Sequence, residues 1–147
     1  MNIIILGCGR MGSTMAMMLA RDGHDVTVID QDPDAITRRL RDFEGKTVVG
    51  NGLDPDVLKR AGIEHADAFV AVTNGDNRNI TSVQIAKEIF NVPKVLSRIY
   101  DPMRAAAYEQ LGIPTLCTTV IGSRLMVDFL EGREWGEISK YCEVQNL

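Results

Sequence analysis

Gly7-Cys8-Gly9-Arg10-Met11-Gly12 sets three glycines at the spacing G-x-G-x-x-G, between an apolar run and an amphipathic stretch. The first glycine of such a loop permits a tight turn, the second lets a pyrophosphate approach the backbone, and the third lets a helix pack closely on a strand. The helix N-terminus then presents unpaired N–H groups and the positive end of its dipole to the phosphates. Asp30 stands 18 positions beyond Gly12, at the end of a second β-branched run. That is near the spacing at which a carboxylate accepts the hydroxyls of an adenosine ribose. The alternative is a plain strand-to-helix turn followed by a helix-capping aspartate. A carboxylate repels a 2′-phosphate, and Gln31 and Asp32, next in the chain, bring no arginine, so NADP is disfavoured. NAD(H), ATP, ADP and AMP carry the same ribose and stay open.

Other polar residues fall where apolar runs end: Asn51 and Gly52 after the third, Thr73, Asn74 and Asp76 after the fourth, Arg98 at the close of the fifth. In a parallel sheet these ends share one crevice. Arg10 and Arg98 suit phosphate oxygens; Arg98 equally suits a structural ion pair, and Arg10 a solvated position. Asn79 and Thr81 cap or line the helix that follows. Residues for catalysis are missing. His24 and His65 lie before strands rather than after them. No tyrosine has a lysine four positions on, since Tyr100, Tyr108 and Tyr141 are followed there by Arg104, Gly112 and Gln145. Cys8, near a helix N-terminus, is either a thiol of lowered pKa or an inert small residue in a turn. Cys8, Cys117 and Cys142 form no CxxC pair, which fits a reducing compartment without a disulfide framework or zinc site. Met11, Met15, Met17 and Met18 read as core filler. No catalytic residue and no metal site are assigned.

The elements that must position these residues alternate. Strands are expected at 3–6, 25–29, 47–49, 68–72, 95–98 and 114–117, and helices at 10–21, 33–43, 54–60, 76–90, 103–111 and 120–130. Asp32-Pro33, Asp54-Pro55 and Asp101-Pro102 mark helix starts, an aspartate capping free N–H groups and a proline at the first helical position. Strands apolar throughout, separated by helices, imply βαβ crossovers and a parallel sheet covered on both faces. The chain of 147 residues thus holds one α/β domain, 1–130, a Rossmann-like doubly wound six-stranded parallel sheet, and a polar tail, 131–147. The last helix carries apolar residues on all sides, from Val120 and Ile121 to Phe129 and Leu130. A helix apolar all round must be buried all round, so a second copy is expected on its outer face; the other possibility is that the tail folds over it. With 16 basic and 20 acidic side chains, a net charge of -4, no nucleic-acid or membrane surface is expected. The opening MNIIILGCG has neither a charged leader nor a cleavage site, and no run approaches the roughly 20 apolar residues that cross a bilayer.

GCGRMG, the VID that ends the second strand, VVGNGLDPDVLKRAGIEHADAFVAVTNGDNRNITSVQIAKEIFNVPKVLSRIYDP and LGIPTLCTTVIGSRL together resemble the RCK domain, also called KTN or the TrkA N-terminal domain. The resemblance covers about residues 1–130. It implies a cytoplasmic regulator of potassium channels and of Trk and Ktr transporters, held at the inner face of the plasma membrane by an integral-membrane partner. It further implies a Rossmann fold without hydride chemistry, in which NAD(H) or an adenine nucleotide changes the shape of an assembly. That assembly is a homodimer joined through the final helix, commonly stacked into an octameric ring. Position by position, Gly7, Gly9, Arg10 and Gly12 match the family's phosphate loop, Asp30 its ribose acid, Thr73 and Asn74 the motif after the fourth strand, and Arg98 the arginine after the fifth. Two departures bear on nucleotide preference: Gly50-Asn51 where many members have Gly-Asp, and Gly75-Asp76-Asn77-Arg78-Asn79 where many have an acidic run ending in Asn. Seventeen tail residues are too few for the C-terminal domain most members carry, so a short member or a fragment is expected. A small NAD-dependent oxidoreductase, or half of one, and a structural module with an empty cleft are the competing readings.

Overall fold

Alternation along the strands decides which side of the sheet each residue serves. A computed structural model describes residues 1–133. In strand β1 (Asn2–Leu6), Ile3 and Ile5 point into one core, while Ile4 and Leu6 point into the other. Both cores are apolar, so β1 lies at the centre of a sheet covered on two faces. The remaining strands are β2 (Asp25–Asp30), β3 (Lys46–Val49), β4 (Ala68–Ala71), β5 (Lys94–Ile99) and β6 (Thr115–Cys117). All pairings are parallel, in the order β3-β2-β1-β4-β5-β6. The chain reverses its direction of travel across the sheet between β1 and β4, and ligands of open α/β sheets bind outside the strand ends at such a point.

Helices α1 (Arg10–Arg21) and α2 (Pro33–Arg39) cover one face. Helices α3 (Pro55–Ala61), α4 (Asp76–Gln84) and α5 (Pro102–Gln110) cover the other, where Phe69, Leu58, Val83 and Ile99 are fully buried. The three Asp-Pro starts behave as expected: the carboxylates of Asp32, Asp54 and Asp101 each accept the N–H two residues on, at 2.9 Å. Met11, Met15 and Met17 pack on the core, but Met18 is 54% exposed, because its position turns it away from the sheet.

Several boundaries differ from the periodicity. Helix α2 stops at Arg39 rather than 43, and Phe43 reaches the same core from the following loop. The stretch expected as one helix over 76–90 is α-helical to Gln84 and then makes a π turn, Ile85–Ile89, closed by the Phe90 N–H on the Ile85 carbonyl. This wider turn lets Ile85 and Phe90 both reach the core. The last helix, α6 (Thr118–Leu130), begins two residues before the expected 120 and has no buried residue. Met126, Phe129 and Leu130 are 69%, 66% and 81% exposed. The apolar surface read from sequence is therefore uncovered by this chain's described residues. Covering by the tail, and Cys142, fall on 134–147, outside the described residues.

Helix α1 meets the sheet with no room to spare. Gly7 has φ +110°, and a side chain on Gly12 would begin 1.8 Å from the Gly7 carbonyl oxygen. A Cβ on Gly9, by contrast, meets nothing within 4 Å. Gly12→Ala is therefore expected to cost about 3 kcal/mol or to prevent folding, whereas Gly9→Ala leaves the urea midpoint nearly unchanged. Parallel urea melts followed by circular dichroism measure both.

Candidate functional site

The ends of β1, β2, β4 and β5 open into one cleft of about 1060 Å³. Its floor is the glycine loop. Gly9 is the N-cap of α1 and supplies no side-chain cap, so the first-turn N–H groups face the cleft without one. Asp30 closes the adjacent wall. One of its oxygens accepts the Cys8 N–H at 2.5 Å and the other the Asp32 N–H at 2.9 Å. The carboxylate thus fixes the loop to the start of α2, and each oxygen keeps a lone pair for a further donor. Asp30 is not a helix cap; Asp32 is.

The opposite wall hangs on a side chain whose place in the sequence suggests only capping or lining. Asn79 of α4 is 0% exposed. Its Oδ1 accepts the Thr73 N–H at 2.9 Å and the Thr73 hydroxyl at 2.6 Å, while its Nδ2 donates to the carbonyls of Thr73 at 3.1 Å and Arg98 at 2.9 Å. Every hydrogen-bonding position of the amide is used, and the ends of β4 and β5 are locked together. Arg98 is held rather than paired: its Nη2 donates to the Thr73 carbonyl at 2.8 Å, and its guanidinium lies 4.2 Å from the centre of the Tyr100 ring. Its Nη1 is 3.8 Å from the Met11 sulfur of the glycine loop. Its Nε is buried without a hydrogen-bond partner. The structural ion pair offered as one reading of Arg98 is absent among the described residues.

Of the residues singled out from sequence, Gly7, Gly9, Arg10, Met11, Asp30, Gln31, Gly52, Thr73, Asn74 and Arg98 line the cleft. Gly12 lies beneath it as the packing glycine. Asn51 does not line it; its Oδ1 accepts the Leu53 N–H at 3.1 Å and closes a local turn. Asp76 also turns elsewhere, accepting the N–H groups of Tyr100 and Asp101 at the β5–α5 turn. His24 lies by the terminal amine and His65 in the turn before β4, both away from the cleft. The fold adds Arg38, Arg39, Arg78 and Tyr100 to the lining. No arginine directly follows Asp30, but α2 brings Arg38 and Arg39 into the lining of the same cleft.

Cys8 is 1% exposed, and burial, reinforced by the negative charge of Asp30, pushes its thiol up to about 11. Its Sγ lies 3.7 Å from the Ala35 carbonyl. Burial and the neighbouring carboxylate thus oppose the lowered pKa that a helix N-terminus suggests, and favour the inert reading of this cysteine.

A model of the TrkA-N domain family matches residues 3–119. The Trk system potassium uptake protein TrkA of Streptomyces coelicolor is 52% identical over 118 residues, 80% of this chain and 53% of that protein. A TrkA homolog of Methanothermobacter thermautotrophicus is 35% identical over 113 residues, 77% of this chain and 52% of the relative. The chain thus spans about half the length of these curated relatives. Among solved structures, the TrkA-N domain of the Escherichia coli inner membrane protein ybaL superposes with a TM-score of 0.78 at 18% identity, covering 88% of this chain and 96% of that one. The Shewanella denitrificans Kef CTD in AMP-bound form gives 0.76 at 24% identity, covering 89% and 80%. The GsuK channel bound to NAD gives 0.76 at 21%, covering 95% and 25%. These three likenesses establish a shared fold, and the family match bears out the resemblance read from the loop and the 48–102 stretch.

Two outcomes follow from this geometry. Asn79→Ala removes the amide from four buried hydrogen bonds and is expected to cost about 3 kcal/mol in urea unfolding. In a C117S/C142S background, alkylation of Cys8 should be slow at neutral pH and rise about tenfold per pH unit without levelling off before pH 10, since only the thiolate reacts; iodoacetamide kinetics measure it.

Proposed function

We propose that this chain, which belongs to the TrkA-N domain family, is a non-catalytic sensor of NAD(H) or an adenine nucleotide that regulates a potassium uptake system. The observation that carries this reading is the pairing, in one cleft, of an α1 N-terminus without a side-chain cap and the Asp30 carboxylate with spare acceptor capacity. A nucleotide's phosphates suit the first and its adenosine ribose the second. Arg10 and the buried, unpartnered Nε of Arg98 supply positive charge at the phosphates. The residues fit the ligand: a loop that admits no side chain at Gly7 or Gly12 leaves backbone, not bulk, at the floor.

The same cleft is poor in acid–base groups. Its carboxylates, Asp30 and Asp32, accept backbone N–H bonds, its thiol is pushed far above neutrality, its tyrosine, Tyr100, has its ring against the Arg98 guanidinium, and among the described residues no histidine, lysine or glutamate lines it. A hydride donor bound there would lack a proton relay from these residues, which favours sensing over an oxidoreductase. Named relatives in potassium uptake and neighbours bound to AMP or NAD support the same reading.

For a bound nucleotide to regulate anything it must favour one arrangement of the assembly over another, because equal affinity shifts nothing. The uncovered apolar residues of α6 give that assembly its joint: a second copy of the chain buries Met126, Phe129 and Leu130. The assembly sits on a membrane-embedded potassium transporter or channel at the cytoplasmic face; none of the described helices is long and apolar enough to cross a bilayer itself.

Calorimetric titration with NADH, NAD, ATP, ADP and AMP, with the oligomer mass recorded alongside, tests this reading. Roughly micromolar binding by at least one of them to a dimer or larger ring, with no consumption of NADH, is expected. Arg10→Ala, at an exposed position, should weaken it about tenfold with the fold intact. A folded protein that binds none of the five overturns the proposal.

A further inference from the structure

Helix α2 leaves the end of β2 directly after Asp30 and runs along the cleft. Ala35 faces the glycine loop, its carbonyl 3.7 Å from the Cys8 sulfur. Residues three and four positions further on share that face of a helix, and they are Arg38 and Arg39. Both line the cleft, both are exposed, and among the described residues neither guanidinium has an ion pair or a hydrogen bond. This is notable in a chain with 20 acidic and 16 basic side chains. Asp34, at the start of the same helix, does not line the cleft, and Asp32 is engaged as its cap. The field of Arg39 reaches the loop: it opposes the rise that burial and Asp30 impose on the Cys8 thiol. Asp30 itself is held by two backbone N–H groups, which offset part of its charge where an anion would approach.

We propose that Arg38 and Arg39 form an anion subsite beside Asp30 that accepts a phosphomonoester at the 2′ position of the adenosine ribose. The inference rests on the nucleotide reading above and extends it: the cleft admits 2′-phosphorylated ligands such as NADP(H), which Asp30 alone would reject. An arginine near the ribose acid is the group that accommodates a 2′-phosphate in this architecture, and a guanidinium fork matches phosphate oxygens two at a time.

The probes are adenosine 2′,5′-bisphosphate, adenosine 3′,5′-bisphosphate and 5′-AMP, titrated by calorimetry into the full chain and into an R38A/R39A double variant. Both substitutions are at exposed positions, and circular dichroism melts confirm that the variant folds. The 2′,5′-bisphosphate should bind at least as tightly as AMP, and the double variant should weaken it tenfold or more while changing AMP less than threefold. A tenfold loss of the 2′,5′-compound relative to AMP in the unaltered protein overturns the subsite alone. So does an equal effect of the double variant on both ligands, or a gain confined to the 3′,5′-compound. Failure of AMP and both bisphosphates to bind overturns the nucleotide reading and the subsite with it.

Discussion

The carbonyl of Gly7 occupies the space where a side chain at Gly12 would begin, and the site depends on that approach. It lets α1 start directly against the ends of β1 and β4. A helix seated any further out would carry its N-terminus away from Asp30 and from the Thr73 loop. The Cys8 N–H could not then reach the Asp30 carboxylate at 2.5 Å, nor Met11 the guanidinium of Arg98. One steric constraint thus holds the glycine loop, Asp30 and Arg98 of β5 within a single cleft. The buried amide of Asn79 completes the frame from the other side by fastening β4 to β5.

Charge is distributed against the chain's overall balance. The net charge is -4, yet Arg10, Arg38, Arg39, Arg78 and Arg98 line the cleft against the carboxylates of Asp30 and Asp32. Both carboxylates accept backbone N–H bonds, so the positive charge is the less compensated of the two. Such a cleft attracts an anion even though the molecule as a whole repels one. Arg98 illustrates how the charge is kept in place: its carbonyl partner and the Tyr100 ring orient it, and neither neutralises it.

Helix α6 has the opposite character. Its apolar side chains find no core within the described chain, whereas Ile5 and Val28 on one face of the sheet and Phe69 and Leu58 on the other are fully buried. An arginine-lined cleft and an exposed apolar helix thus belong to one domain. Occupancy of the first could change the arrangement of the second only through unequal affinity for two arrangements.

Much of this was legible in the residue order. The alternation of apolar strands and helices, the three Asp-Pro caps, the glycine loop and Asp30 are local signals, each written within a few consecutive residues by sterics or capping chemistry. Those signals determined the fold class, the place of the cleft and the family resemblance. The tertiary structure decided what depends on separated residues meeting. It made Asn79 the buried link between two strand ends, turned Asn51 to a local turn and Asp76 to the β5–α5 turn, and brought Arg38 and Arg39 into the lining of the cleft that holds Asp30. It also fixed the thiol of Cys8, whose helix-terminus position suggests a lowered pKa while its burial imposes a raised one. Burial and side-chain direction arise only when distant segments pack, and no spacing along the chain contains them.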